Sequence, residues 1–162
     1  MIELRGKAVA DAHKAILQEK VAAVGNSVIT MAVLLVGDDH GAHMYATFME
    51  KTAKNFGYGF VLKQLPETAT HDEVVAALQE LNNDDAVHGI LPLMPMPKHI
   101  DTEALIDMLD PKKDIDGLTT YNIGLVTAGK GGFAPCTAKA CMAILMKNKR
   151  LICDSIQKIR RR

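Results

Sequence analysis

The 162-residue chain, at 17.6 kDa and 48% apolar, has the length and composition of about one domain with one buried core. These figures argue against a multidomain enzyme and against a disordered chain. The formal charge is zero, nineteen basic against nineteen acidic residues, yet residues 147–162 carry seven Lys/Arg against the single acid Asp154. The chain therefore reads as an acidic body of −6 followed by a basic tail of +6.

Taken in chain order, residues 7–24 read as an amphipathic helix, with Val9, His13, Ile16, Leu17, Val21 and Val24 near helical spacing. Charges at Glu3, Arg5, Lys7, Asp11 and Lys14 exclude a signal peptide's apolar segment there. Ile29–Val36 is a β-branched and aliphatic run typical of a strand covered on both faces. Residues 43–56 read as a helix stopped by Gly57. Phe60–Leu65 reads as a second strand, and Thr70-His71-Asp72-Glu73 is a capping box for a helix with Val74, Val75, Leu78 and Leu81 inward. Val87–Leu91 reads as a third strand, Asp101 starts a short helix through Leu109, and Thr137 is read as the cap of a helix through Met146. No run reaches the roughly 18 apolar residues of a membrane helix. Cys136, Cys141 and Cys153 lack the paired spacing of a zinc site, so free thiols in a cytoplasmic protein are expected.

Alternating helices and short apolar strands predict a three-layer α/β/α domain with a mostly parallel sheet, spanning residues 1–146. Ligands of such folds bind at the carboxyl ends of strands, which directs attention to the loops Gly37–Met44, Pro92–His99 and Pro111–Tyr121. In the first, Gly37 and Gly41 allow a tight turn that delivers Tyr45 to the following helix, with Met49 one turn later on the same face. In the second, Pro92, Pro95 and Pro97 make a stiff lip around Leu93, Met94 and Met96. The third carries Lys113-Asp114-Ile115-Asp116-Gly117, whose carboxylates could meet a metal or the donors of a heterocycle. Each segment by itself also reads as a plain turn or connector.

Together and in this order, the segments resemble the bifunctional methylenetetrahydrofolate dehydrogenase/cyclohydrolase (FolD-like) family. The resemblance rests on Gly6-Lys7-Ala8-Val9-Ala10, Ala32–Asp39, Tyr45 with Gly57, Gly89-Ile90-Leu91 with Pro95-Met96-Pro97, Lys113–Gly117, Asn122-Ile123-Gly124 and Pro135-Cys136-Thr137. It covers about residues 2–146 and implies a folate-binding domain that in relatives faces a Rossmann domain holding NAD or NADP. It further implies that Tyr45 stacks on the folate ring system, that Asp116 grips the pterin edge, and that Pro92, Pro95 and Gly117 line the same site. Two positions depart from the family pattern: its proton-transferring lysine is Met49 here, and the glutamine that tunes that lysine is Leu93.

Met49 has no transferable proton, and an apolar residue at 93 avoids leaving an unsatisfied amide once the amine is gone. Lys51 and Lys54 are poorly placed on the helix to substitute; His43, an imidazole in the same loop, is the nearby residue kept as a possible replacement. No phosphate-cradling G-x-G-x-x-G loop is read, so no cofactor is expected to be held by this chain. The expectation is a folate-type ligand in a methionine-softened pocket of Met49, Leu93, Met94 and Met96, with activity lost or much reduced as in a pseudoenzyme. The alternatives are a cyclohydrolase that works with a separate nucleotide-binding chain or through His43, and a non-catalytic interaction module. For the basic tail 147–162, with Ile152, Ile156 and Ile159 on one helical stripe, the readings are a helix packed back on the domain, an anion- or nucleic-acid-binding segment, and a remnant of truncation. Neither nucleic acid nor a membrane is the expected partner.

Overall fold

The computed structural model describes residues 4–24 and 29–149. Three parallel strands, β1 (Thr30–Val36), β2 (Gly59–Leu65) and β3 (Gly89–Pro92), form one sheet in the order β2-β1-β3. The helices α1 (Lys7–Val24), α2 (His40–Phe56), α3 (His71–Asn83), α4 (Thr102–Asp107), α5 (Thr120–Thr127) and α6 (Cys136–Lys147) surround it. The middle strand β1 is buried at every position after Thr30, which accounts for its unbroken apolar sequence.

Alternation along β1 sends its side chains into two cores. Ala32, Leu34 and Val36 join Ile90 against Val74, Ala77, Leu78 and Leu81 of α3 and Leu105 of α4. Met31, Val33 and Leu35 join Leu91 and Leu93 against Ala42 and Ala46 of α2, with Met49 and Ile115 packed alongside. The three layers are thus helix, sheet, helix. Each fully buried Leu, Ile or Val contributes about 1.5–3 kcal/mol, so β1, which serves both cores, is the main anchor of the fold.

Several boundaries differ from the sequence reading, each for a local reason. Helix α2 begins at His40 rather than 43, because the Asp39 carboxylate caps it by accepting from the Ala42 N–H at 2.8 Å. Gly57 ends it in the left-handed conformation at φ 78°. Strand β3 starts at Gly89 rather than Val87, since the Val87 N–H is used in a turn to the Asp84 carbonyl at 3.0 Å. Pro92 closes that strand opposite Leu34, as an edge strand tolerates. At α6 the cap position is Pro135, with no side-chain cap, and Thr137 lies inside the helix. Helix α5, its Thr119 cap accepting from Asn122 N–H at 3.2 Å, was not anticipated. The capping box at Thr70 and Glu73 is present as expected.

The amphipathic reading of α1 meets an unexpected outcome: of its 18 residues only Val9 is buried. No helix among the described residues is long and apolar enough to cross a membrane. Cys136 and Cys141 are free, and Cys153 lies outside the described residues.

Candidate functional site

The three loops at the strand ends are built by different devices. After β1, Gly37 turns at φ 91°, with Pro97 and Glu67 packed beside it. Helix α2 then lies on the sheet through Ala42, Ala46 and Ala53, whose small side chains allow close approach. Met49 shares that face, while Tyr45, one turn earlier, is 49% exposed and its ring stacks with Phe48 at 6.4 Å between centroids. His43 is half-buried and its Nε2 meets the Gly37 carbonyl at 3.3 Å, tying the helix to the turn. Six residues along a helix is a rotation of about 120° away from Met49, so His43 serves a different side of α2. Lys54 is engaged with Glu50 at 2.7 Å on the exposed surface.

The second loop continues from β3. Its Leu93 N–H donates to the Leu34 carbonyl at 2.8 Å, and the Leu93 side chain is 6% exposed in the same apolar cluster that Met49 packs against. Met94 is exposed and joined by a cis peptide to Pro95. Pro95, Met96 and Pro97 instead wall a cavity of about 600 Å³ with Gly37, Asp38, Asp39 and Glu67. Met49 lines a separate cavity of about 290 Å³, bounded by Met31, Tyr58, His88 and Ile115 among others. The methionines therefore divide between two places, and Met94 and Met96 do not soften the cavity that Met49 lines.

The Lys113–Gly117 segment divides its labour. The Lys113 ammonium donates to the carbonyls of Leu81, Asn82 and Asp84 at 2.7–3.2 Å, closing the C-terminal end of α3. The Ile90 N–H donates to the Lys113 carbonyl at 2.7 Å, which lays the segment along the free edge of β3. Asp114 is buried and accepts from the N–H groups of Gly117, Leu118 and Thr119, the Thr119 hydroxyl and the Asn122 amide. Burial pushes its carboxyl up, but the hydrogen bonds from Asn122, Thr119 and Leu118 outweigh that and hold it below the usual carboxylate value. Gly117 adopts φ 68°, and a Cβ there would collide with the Phe133 carbonyl. Only glycine fits that crossing.

With those residues committed to the frame, Asp116 remains as the half-buried carboxylate turned to other use. It is hydrogen-bonded to the Cys136 thiol, which also lies 3.3 Å from the Ile115 carbonyl. Burial, followed by the Asp116 charge and hydrogen bond, raises the Cys136 pKa, so this thiol is not an activated nucleophile. Met49, Leu93 and Ile115 meet in one apolar cluster, so Tyr45 precedes and Asp116 follows residues of a shared floor. Pro92 is buried behind it as the last residue of β3. Ile115, Tyr58 and His88 were not singled out from sequence; only the cavity identifies them. His88 Nδ1 accepts from the Thr30 N–H at 3.2 Å, which leaves its proton on Nε2.

The family model for the tetrahydrofolate dehydrogenase/cyclohydrolase catalytic domain matches residues 4–116. The chain belongs to that family. The bifunctional protein FolD of Campylobacter concisus (strain 13826) is 42% identical over 116 residues, covering 72% of this chain and 41% of the relative. That of Heliobacterium modesticaldum is 39% identical over 145 residues, covering 88% and 50%. Among solved structures, the FolD methylenetetrahydrofolate dehydrogenase/cyclohydrolase of Campylobacter jejuni superposes with a TM-score of 0.83 at 33% identity, over 90% of this chain and 53% of that one. The silkworm (Bombyx mori) 5,10-methylenetetrahydrofolate dehydrogenase gives 0.84 at 32% identity, over 90% and 51%. The chain spans about half the length of the curated relatives it matches.

The resemblance brings a nicotinamide dinucleotide into question, and the glycine turns among the described residues do not fit its pyrophosphate. A pyrophosphate needs a glycine turn between a strand and a helix N-terminus. The turn of that kind, Gly37–Gly41, carries Asp38 and the capping carboxylate of Asp39, with Glu67 beside it, which repel an anion. Gly129–Ala134 has the spacing G-x-G-x-x-A, but it follows helix α5 instead of a strand. There Gly132 is needed for packing, since a Cβ would lie 2.7 Å from the Asn122 carbonyl.

Proposed function

We propose that this chain is a folate-binding domain of the dehydrogenase/cyclohydrolase family from which the proton-transfer chemistry of the cyclohydrolase has been lost. The observation that carries this reading is the placement of Met49 and Leu93, neither of which has a transferable proton, against the same apolar residues Met31, Val33, Leu35 and Leu91. An unpaired amine in such surroundings would be desolvated, and an amide would lack partners, so the two apolar residues suit one another. Tyr45 supplies an exposed ring for stacking, and Asp116 supplies an acceptor for the N–H donors of a pterin-like heterocycle.

In this reading the ligand stacks on the exposed Tyr45 ring and meets the Asp116 carboxylate, while Met49 and Leu93 supply apolar surface with no transferable proton. The chemistry left to the site is binding and orientation. A cyclohydrolase acting through His43, or together with a separate nucleotide-binding chain, is the competing enzymatic account. The bond from His43 to the Gly37 carbonyl favours a structural duty for that imidazole.

Binding is tested by calorimetry with a tetrahydrofolate analogue on the wild type and on Tyr45→Ala. Loss of one stacked ring is expected to weaken binding by about 1–3 kcal/mol, roughly fivefold to 150-fold. Equal heats from the two proteins, or none from either, would reject the retained folate site.

A further inference from the structure

We propose that β2 is an association edge, to which a second copy of this chain adds its own β2 in antiparallel register, with Leu62 facing Leu62 across the two-fold axis. The sheet order β2-β1-β3 puts β2 at an edge, and among the described residues no strand pairs with its outer side. Two bonds at its ends show which backbone groups are already used. The Gly59 N–H donates to the Ile29 carbonyl at 2.7 Å, and the Leu65 carbonyl accepts from the Gly37 N–H at 3.0 Å. The register with β1 runs unbroken from Thr30 opposite Gly59 to Val36 opposite Leu65, so Gly59, Val61, Lys63 and Leu65 all turn their backbone groups toward β1. Phe60, Leu62 and Gln64 therefore turn theirs outward.

Native edges are blunted by brevity, proline, a bulge, exposed charge or a covering segment. The other edge of this sheet has such a cover, since the Ile90 N–H of β3 donates to the Lys113 carbonyl. Strand β2 is seven residues long, GFVLKQL, with no proline and no bulge in its register. Its single charge, Lys63, is paired with Glu80 of α3. Val61 and Leu62 are 39% and 43% exposed in mid-strand. Alternation sends Leu62 with Phe60 to the α2 side of the sheet and Val61 with Leu65 to the α3 side, so the edge is apolar on both faces.

A second copy fits because the outward set is symmetric about Leu62. In antiparallel pairing Leu62 meets Leu62 and Phe60 meets Gln64, each exchanging both backbone bonds with its opposite number. On the other face Lys63 lies opposite Val61 of the second copy, so no like charges face one another directly. The contact uses the same patch on both copies and closes on itself, joining two three-stranded sheets into one.

Light scattering on the full 162-residue chain, from micromolar to sub-millimolar concentration, is expected to show the mass rising from 17.6 kDa toward twice that value. Residue-resolved hydrogen exchange at the two ends of that range is expected to show the amides of Phe60, Leu62 and Gln64 slowing at least about tenfold, while those of Val61 and Lys63, already bonded to β1, change less. Leu62→Pro removes an outward N–H and no bond to β1, and is expected to weaken association at least about tenfold with β1 still protected. Leu62→Lys sets like charges opposite one another at the axis and carries the same readout should the proline disturb the strand. A monomer at every concentration would overturn the proposal. So would a dimer whose added protection lies outside β2 or does not alternate along it, or one that both Leu62 variants leave intact.

Discussion

Replacing Asp114 by alanine is expected to cost about 4 kcal/mol of stability, a large share of the roughly 5–15 kcal/mol that holds an ordinary domain. The carboxylate is 1% exposed and accepts five hydrogen bonds, three from backbone N–H groups and two from the side chains of Thr119 and Asn122. Alanine would strand these donors in a dry interior, where each unsatisfied group costs about 1–3 kcal/mol before relaxation. Asp114→Asn keeps the shape but turns an NH₂ toward other donors, so a smaller loss of about 2 kcal/mol is expected. Urea denaturation of the three proteins measures both, and a loss below about 1 kcal/mol for alanine would contradict the hub role.

The same carboxylate sets a pH dependence whose sign follows from its lowered pKa. The unfolded chain binds the proton more tightly than the folded one, so stability rises with pH wherever the unfolded state is more protonated. The contribution is complete above about pH 5 and is lost as pH falls through about 4 toward the folded value. Asp114→Asn is expected to flatten that part of the acid-unfolding curve. A wild-type curve and a variant curve of equal slope would count against it.

This hub shows what the sequence could and could not disclose. The motif Lys113–Gly117 was visible as a short carboxylate pair, and its resemblance to the family directed attention to Asp116. That Lys113 closes α3, that Asp114 gathers a whole turn and that Gly117 makes room for the Phe133 carbonyl depend on partners up to 32 residues away, which no local pattern reveals. Likewise β1 was legible because burial on both faces leaves a continuous apolar run. Strand β3 was read two residues early, because buried Val87 looks like a strand residue while its N–H closes a turn. The α1 stripe was legible as a pattern, but a pattern does not say what covers it. The expected gathering of methionines failed for a related reason. Successive residues of the proline lip point into different cores, so Leu93 and Met96 pack on opposite faces of the sheet.

The second large effect concerns chemistry. Met49→Lys/Leu93→Gln restores the two residue types that the family resemblance places at these positions, an amine and an amide able to hold it. Hydrolysis of 5,10-methenyltetrahydrofolate is expected to rise about 100-fold over wild type, the lower range of what a placed acid–base group supplies. Met49→Lys alone puts a cation among Leu93, Met31 and Ile115 with no carboxylate or amide lining that cavity to hold it. It is expected to lower stability by about 1–2 kcal/mol and to gain less activity, because desolvation depresses the amine's pKa. Addition of Leu93→Gln should recover part of both, a coupling that a double-mutant cycle reads directly. Purely additive effects would separate the two positions.

The central claim is that Tyr45 and Asp116 retain a folate-type ligand over a floor that no longer transfers protons. The most direct measurement is the loss of 5,10-methenyltetrahydrofolate absorbance with the unmodified chain at a concentration where calorimetry shows binding. The predicted result is the buffer rate, unchanged by His43→Ala. Hydrolysis above the buffer rate that disappears in His43→Ala would contradict the account and assign the reaction to that imidazole.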